Sequence, residues 1–319
     1  MGSLTPNEKQ LPVVDFTKLE MKPGSNSWSS TCNQVKKSLE NHGCFVALYN
    51  KISPQLHKSI FQSADELFDL PIQTKLLNRN EKSYHGYVGQ STVIPLHEGL
   101  GIDYATTLQG AQTFTNRMWP NGGNHSFCET SLSFAKTVAE LEQIVVRMLF
   151  DSYGLLEKHV DSHIDSTTYL LRYLKYRAPE TGESNMGMPS HTDKSFISIL
   201  YQNDVSGLEV KTRDREWIHV DFPPSSFVVM AGDACQAWSN DRVHSASHKV
   251  TLDENGKATR YTIALFSFQS KPVEAPKELV DDDEHPLKYK PFVHADLITF
   301  FKTDRGRQSQ DILTDFCGV

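Results

Sequence analysis

His191-Thr192-Asp193, with His248 and Arg260 further along the chain, can bring two imidazoles, one carboxylate and one guanidinium to a single small site. Two neutral imidazole nitrogens and a carboxylate on one face of an octahedron suit iron(II) and leave three adjacent positions open. Those positions would accept a bidentate organic acid and O₂. Arginine can grip the far end of such an acid, because its planar guanidinium offers two parallel charge-assisted hydrogen bonds. Thr262, two residues beyond Arg260 and so on the same face of a strand, can add a hydroxyl bond.

The His-x-Asp spacing alone is weak, since it recurs at His159-Val160-Asp161, His163-Ile164-Asp165 and His294-Ala295-Asp296. Context separates them. On an extended segment residues i and i+2 point the same way, whereas on a helix they lie about 200° apart. His191 follows Pro189-Ser190 and precedes Phe196-Ile197-Ser198-Ile199-Leu200-Tyr201, an aromatic and β-branched run that reads as a strand. The pairs at 159 and 163 fall in the charged tail of a helical stretch, 155–164, and read as solvated surface residues. His294 opens the C-terminal helical pattern, where Asp296 suits a helix start. For the distal histidine, His244 and His248 would face the same way on a strand. His248 is preferred because Val250 and Leu252 continue its alternation, while His244 follows the turn signal Asn240-Asp241.

The elements that must position these residues change character along the chain. Residues 12–16 read as a short strand, and 27–42 carry helical apolar spacing. Ser53-Pro54 supplies an N-cap and a proline at the first helical position, opening a helix to about Phe68 that stops before Pro71. Residues 72–125 are rich in turns and single polar residues, which predicts loops and short strands. Within them Gly99-Leu100-Gly101 lacks the third glycine of a dinucleotide fingerprint and reads as a loop. Between Phe127 and Tyr153, Leu132, Val138, Leu141, Val145 and Met148 keep the three-and-four spacing of a long helix packed along a sheet.

After Thr167 the period becomes two, in runs at 169–176, 195–201, 208–212, 217–220, 226–231, 248–252 and 261–268, which predicts a β-sandwich or barrel. Gly232-Asp233 reads as a turn that aims the next strand. Trp217 and Trp238 read as packing residues, and Arg242 and Lys249 as solvated strand-end charges.

Composition fits one large core with extensions: 319 residues, 38% hydrophobic. The expected division is 1–125, a helical and mixed region packed on the core, then 126–270, the long helix and β-rich core, and 271–319, a helical extension. A net charge of −7, from 32 basic and 39 acidic residues without a long basic block, argues against nucleic acid as a partner. No stretch is long and apolar enough for a membrane span, and the first ten residues lack an apolar signal core, so a cytoplasmic location is expected. The five cysteines include no C-x-x-C pair, which suits reduced thiols. The run Asp281-Asp282-Asp283-Glu284 reads as a solvated loop, and no protein partner is inferred.

Leu11-Pro12-Val13-Val14-Asp15-Phe16, Asn41-His42-Gly43-Cys44-Phe45, His191-Thr192-Asp193, Gly207-Leu208-Glu209-Val210, Gly232-Asp233, Ser245-Ala246-Ser247-His248-Lys249-Val250 and Arg260-Tyr261-Thr262 resemble the plant soluble 2-oxoglutarate- and Fe(II)-dependent dioxygenases nearly end to end. Phe68-Asp69-Leu70-Pro71, Tyr84-His85-Gly86-Tyr87-Val88-Gly89 and Phe316-Cys317-Gly318-Val319 resemble the shorter members that act on specialised metabolites, such as the glucosinolate alkenyl-forming, deoxypodophyllotoxin-forming and auxin-oxidising enzymes.

The resemblance implies a fold that is mainly β with flanking helices: a double-stranded β-helix, or jelly roll, with an N-terminal helical region. It implies iron(II) on His191, Asp193 and His248, and 2-oxoglutarate as cosubstrate on Arg260, Thr262 and Tyr176, with ascorbate as a reductant. The implied reaction is hydroxylation of a small hydrophobic plant metabolite by O₂ with release of succinate and CO₂. Two departures touch the cosubstrate pocket. Thr262 stands where serine is usual, and Leu174-Lys175-Tyr176 stands where many relatives carry Asn-Tyr-Tyr, so Leu174 cannot supply the amide's hydrogen bond.

Expected substrate-lining residues are Tyr84, Tyr87, Ile94, Leu96, Phe196, Phe266, Phe268 and Phe301, with Lys194 or Arg172 as candidates for an acidic group. The alternatives are an oxidase that uses the same iron site without 2-oxoglutarate, and a jelly-roll binding protein without turnover. Arg260 and Tyr176 beside a complete triad argue against the second.

Overall fold

Period-two burial builds two sheets, and helices cover one of them. The computed structural model describes residues 10–17, 22–82, 84–89, 91–213, 215–281 and 283–319. The signal-peptide reading of residues 1–9 and the reading of Asp282 therefore lie outside the described residues.

The first half runs β1 (Val13–Asp15), α1 (Asn26–His42), β2 (Cys44–Leu48), α2 (Pro54–Phe68), α3 (Ile72–Lys75), β3 (His97–Asp103), α4 (Leu108–Met118), α5 (His125–Ser152) and α6 (Glu157–Asp165). Next come β4 (Thr167–Tyr176), β5 (Met186–His191), β6 (Ile197–Gln202), β7 (Leu208–Lys211), β8 (Trp217–His219) and β9 (Ser226–Ala231). The chain closes with α7 (Asp233–Trp238), β10 (His248–Thr251), β11 (Arg260–Gln269), α8 (His294–Phe301), α9 (Asp304–Gln308) and α10 (Ile312–Cys317).

A seven-stranded sheet in the order β1-β2-β9-β6-β11-β4-β3 lies against a four-stranded sheet in the order β5-β10-β7-β8. Apart from the parallel pair β1–β2, neighbouring strands are antiparallel. On β11, Tyr261, Ile263 and Leu265 enter the larger core with α5, whereas Arg260, Thr262, Ala264 and Phe266 face the smaller sheet. Leu200, Val228 and Ala264 of the large sheet meet Leu208 and Val210 of the small one in a second apolar cluster. This is the expected jelly roll, with more helix around it than the β-rich half of the sequence suggests. No described helix is long and apolar enough to cross a membrane.

Helix ends follow their caps. The Ser53 hydroxyl accepts from Leu56 N with Pro54 at the first turn, and Asn124 Oδ1 accepts from Phe127 N to start α5. Five expectations are corrected. Residues 72–125 contain α3 and the eleven-residue helix α4, capped by Thr107, not only loops and short strands. Gly99-Leu100-Gly101 is part of strand β3, not a loop. Its glycines reflect crowding: a Cβ on Gly101 would lie 2.2 Å from the His85 carbonyl oxygen, and one on Gly99 would lie 2.6 Å from Arg172 Nη2.

Gly232-Asp233 opens α7 instead of aiming a strand. His163, read as solvated, is buried on α6 between Phe150 and Phe196 and contacts Gln269. Arg242, read as a solvated charge, donates to the Leu279 carbonyl at 2.6 Å.

Candidate active site

Strand pairing assembles the three candidate metal ligands. His191 ends β5, His248 begins β10, and the two lie directly opposite in the antiparallel register, with ring centres 4.3 Å apart. Each imidazole uses Nδ1 to donate to a carbonyl two residues earlier, His191 to Pro189 at 2.9 Å and His248 to Ala246 at 3.3 Å. That pairing leaves both Nε2 lone pairs free to act as ligands. Both Nε2 atoms lie 3.8 Å from the same Asp193 Oδ1, and Asp193 Oδ2 is buried without a partner.

Burial, and then the neighbouring His248, push the His191 imidazole well below its ordinary pKa. Burial raises Asp193, but His248 and then His191 outweigh it and hold the carboxyl below its usual range. Two imidazoles with free Nε2 lone pairs and a part-orphaned carboxylate are the donor set that a divalent first-row metal completes. The residues present therefore fit iron(II).

A second layer fixes the loop between the ligands. Lys194 Nζ lies 2.6 Å from Asp233 Oδ2 and 2.9 Å from both the carbonyl and the hydroxyl of Thr192. The Asp233 amide, at the start of α7, donates to the Asp193 carbonyl at 2.8 Å. From the C-terminal side, His294 Nε2 donates to the Lys194 carbonyl at 2.6 Å while its Nδ1 accepts from Gln269 N.

Arg260 and Tyr176 pair across β11 and β4, with the guanidinium carbon 5.2 Å from the ring centre. Arg260 is 1% exposed and donates through Nη2 to Gln202 Oε1 at 2.7 Å. Its Nε and the Thr262 hydroxyl are buried without partners, so a polar group can be received there. His97 on β3 pairs with Tyr176, ring centres 4.8 Å apart, and its Nδ1 is another buried orphan. Burial, then the charge of Arg172, hold His97 down to about 3, so it is neutral near pH 7.

Sequence reasoning missed Gln202 and His97. Gln202 carried a signal, a polar residue on the inward face of a buried strand opposite Thr262. His97 carries none, because the glycines that follow it in β3 read as a loop.

The expected lining residues divide. Phe266 and Phe268 lie on the inward face of β11, and Phe268 packs beside His85 and His294. Lys194 lies over the Phe301 ring at 4.8 Å, and Phe301 packs on Tyr84. Leu96 packs with Tyr176, Val250 and Leu252, and Ile94 is half-buried two residues before it. Tyr87 turns toward the larger core, its hydroxyl donating to Glu98 at 2.6 Å. Phe196 is not brought to the cleft: fully buried against His163 and Trp238, it belongs to the helix-facing core.

Residues 166–269 match the 2OG-Fe(II) oxygenase superfamily, and residues 11–121 match the non-haem dioxygenase in morphine synthesis N-terminal region. Over 314 residues the chain is 43% identical to a probable 2-oxoglutarate-dependent dioxygenase of Arabidopsis thaliana, AOP1.2, covering 96% of this chain and 95% of that protein. The crystal structure of a rice dioxygenase for auxin oxidation superposes with a TM-score of 0.80 at 27% identity, covering 97% of this chain and 100% of that one. An Arabidopsis thaliana dioxygenase for auxin oxidation, solved as a 2-oxoglutarate complex, gives a TM-score of 0.77 at 25% identity over 87% of this chain and 100% of that one. By this relationship the chain belongs to the plant 2-oxoglutarate- and Fe(II)-dependent dioxygenases, enzymes that take iron(II) as cofactor and 2-oxoglutarate as cosubstrate.

Proposed function

We propose that this enzyme hydroxylates a C–H bond of a small, largely apolar organic molecule, with iron(II) held by His191, Asp193 and His248. The observation that carries the reading is the aim of both Nε2 atoms at one carboxylate oxygen, beside the buried and part-unpaired Arg260. In this reading 2-oxoglutarate is held by Arg260, Tyr176 and Thr262, and His97 stands in for the hydrogen bond that Leu174 cannot make. Bound iron(II) lets O₂ oxidise 2-oxoglutarate to succinate and CO₂, leaving one oxygen atom for the substrate C–H bond.

The chain's own residues set the conditions for that chemistry. Gln202 fixes the Arg260 fork so that less freedom is lost when a carboxylate is gripped. The backbone carbonyls of Pro189 and Ala246 hold the imidazoles in the ligating tautomer. Tyr84, Phe266, Phe268 and Phe301, with Ile94 and Leu96 at the rim, form the apolar walls that orient the substrate and exclude water. Residues 126–270 supply the iron ligands with Arg260, Tyr176 and Thr262, while residues of the first part, among them His97, Tyr84 and Leu96, and Phe301 of the last part complete the site. Ascorbate serves as a reductant. A cytoplasmic setting is supported by the five cysteines, all buried and free.

Anaerobic titration of iron(II) with 2-oxoglutarate tests the assignment. A visible charge-transfer band should appear in the wild type and vanish in His248→Ala. Its absence from the wild type, or its survival in the variant, overturns the residue assignment.

A further inference from the structure

Arg172 is a buried guanidinium with no acid to hold. It lies on the inward face of β4, opposite Ala264 of β11 and Gly101 of β3. Tyr176 is four residues along the same strand, about 13 Å away. Arg172 is 7% exposed; Nη1 donates to the Tyr84 carbonyl, while Nε and Nη2 have no hydrogen-bond partner among the described residues. Those two N–H groups share one edge of the guanidinium, the edge that grips a carboxylate through two parallel bonds.

Nearby acids are engaged elsewhere. Asp103 accepts from His85 and Asn80, and Glu98 accepts from Lys75 at 2.8 Å and Tyr87 at 2.6 Å. Asp193 faces the two imidazoles. Lys194, another cation beside the cleft, is spent on Asp233 at 2.6 Å. A role limited to holding the Tyr84 carbonyl needs one N–H and no charge, and leaves the two buried donors unaccounted for. Burial lowers the Arg172 pKa only to about 10, so the cation persists at neutral pH. The fold also clears space for it. Gly99 presents no side chain where a Cβ would lie 2.6 Å from Nη2. The surrounding walls are Phe266 and Phe268 on the same sheet face, and Tyr84, whose carbonyl Arg172 holds.

We infer that the substrate is a small apolar carboxylic acid whose carboxylate pairs with Nε and Nη2 of Arg172. The inference rests on the reading of this cleft as the dioxygenase active site. It adds an anchor separate from the one assigned to 2-oxoglutarate at Arg260.

The test uses anaerobic enzyme loaded with iron(II) and 2-oxoglutarate, with the charge-transfer band as the control for that reading. Probes are phenylacetate, 3-phenylpropionate, 4-phenylbutyrate and octanoate, each paired with its neutral primary amide, and binding is measured by ligand-observed NMR and calorimetry. At least one carboxylate should bind about tenfold or more tightly than its amide, the scale of a charge-assisted pair. Arg172→Gln should erase that preference while leaving the amide affinity and the charge-transfer band unchanged, and Arg172→Lys should retain part of it. If Arg172→Gln does not fold, the wild-type preference and the Arg172→Lys variant decide.

No carboxylate preference in any pair overturns the inference, whether both forms bind equally or neither binds. So does a preference that survives Arg172→Gln. Loss of the charge-transfer band in the wild type instead overturns the active-site reading beneath it.

Discussion

Lys194 and Asp233 form an ion pair with side chains only 8% and 5% exposed, directly behind the loop that carries Asp193. Neutralising one partner strands the other charge in a medium that solvates it poorly, at a cost of about 3–5 kcal/mol. Asp233→Asn should therefore lower unfolding stability by roughly that amount in urea, and weaken iron(II) binding about 10–100-fold, as loss of a ligand-orienting partner does. The double replacement Lys194→Met/Asp233→Leu should recover most of the stability, because no buried charge is then left over. Unchanged iron affinity in Asp233→Asn would show that the pair only holds the fold.

The contrast with His191, Asp193 and His248 explains what was readable at this scale. The proposed ligands followed from residue type and extended-strand spacing, which are local. The partners of Asp233, Gln202 and His163 come from distant segments, so local pattern reads Asp233 as a turn residue and His163 as a surface one, and assigns Gln202 no role.

At the scale of elements, α5 lies against the large sheet with a carboxyl group beneath it. Glu142 on α5 is 2% exposed and accepts from the Tyr169 hydroxyl of β4 at 2.8 Å. Burial raises its pKa to about 7 from an ordinary 4.5, with hydrogen bonds from Ser267 and Tyr169 pulling back. The folded protein then holds that proton more tightly than the unfolded chain. The resulting stability is full below the ordinary value and is lost as pH rises through the folded one.

Urea unfolding at pH 5, 6, 7 and 8 should accordingly show wild type losing on the order of 3 kcal/mol relative to Glu142→Gln. Parallel pH curves would mean that Glu142 titrates as an exposed acid does. The apolar face of α5 was clear from its spacing, whereas β3 was hidden. Gly99 and Gly101 look like loop residues, yet they occur where His85 and Arg172 approach the strand. A Gly101→Ala change should destabilise the protein by about 1–3 kcal/mol, the range for overpacking against a fixed neighbour, which thermal unfolding can read.

For the molecule as a whole, the two sheets contribute different halves of the site. His191 and His248 stand on the four-stranded sheet, whereas Arg260, Tyr176 and Thr262 stand on the seven-stranded one. The short strand β10 ties its sheet together through β5 and β7, and the apolar cluster between the sheets is the smaller of the two larger cores. A metal on the small sheet and a dicarboxylate reaching the large one would clamp the two together. Binding to the folded state alone stabilises it by about 2.7 kcal/mol when free ligand is a hundredfold above its dissociation constant.

The expected outcome, with Mn(II) as a redox-silent stand-in, is that metal alone slows amide exchange chiefly in β5 and β10. Adding 2-oxoglutarate should extend that protection to the Arg260 end of β11 and raise the melting temperature further. In Arg260→Leu the metal effect should persist and the 2-oxoglutarate increment disappear, because only the contact to the large sheet has been cut. Protection spreading to both sheets on metal alone would mean instead that the ligand triad already couples them, and that the cosubstrate is no bridge.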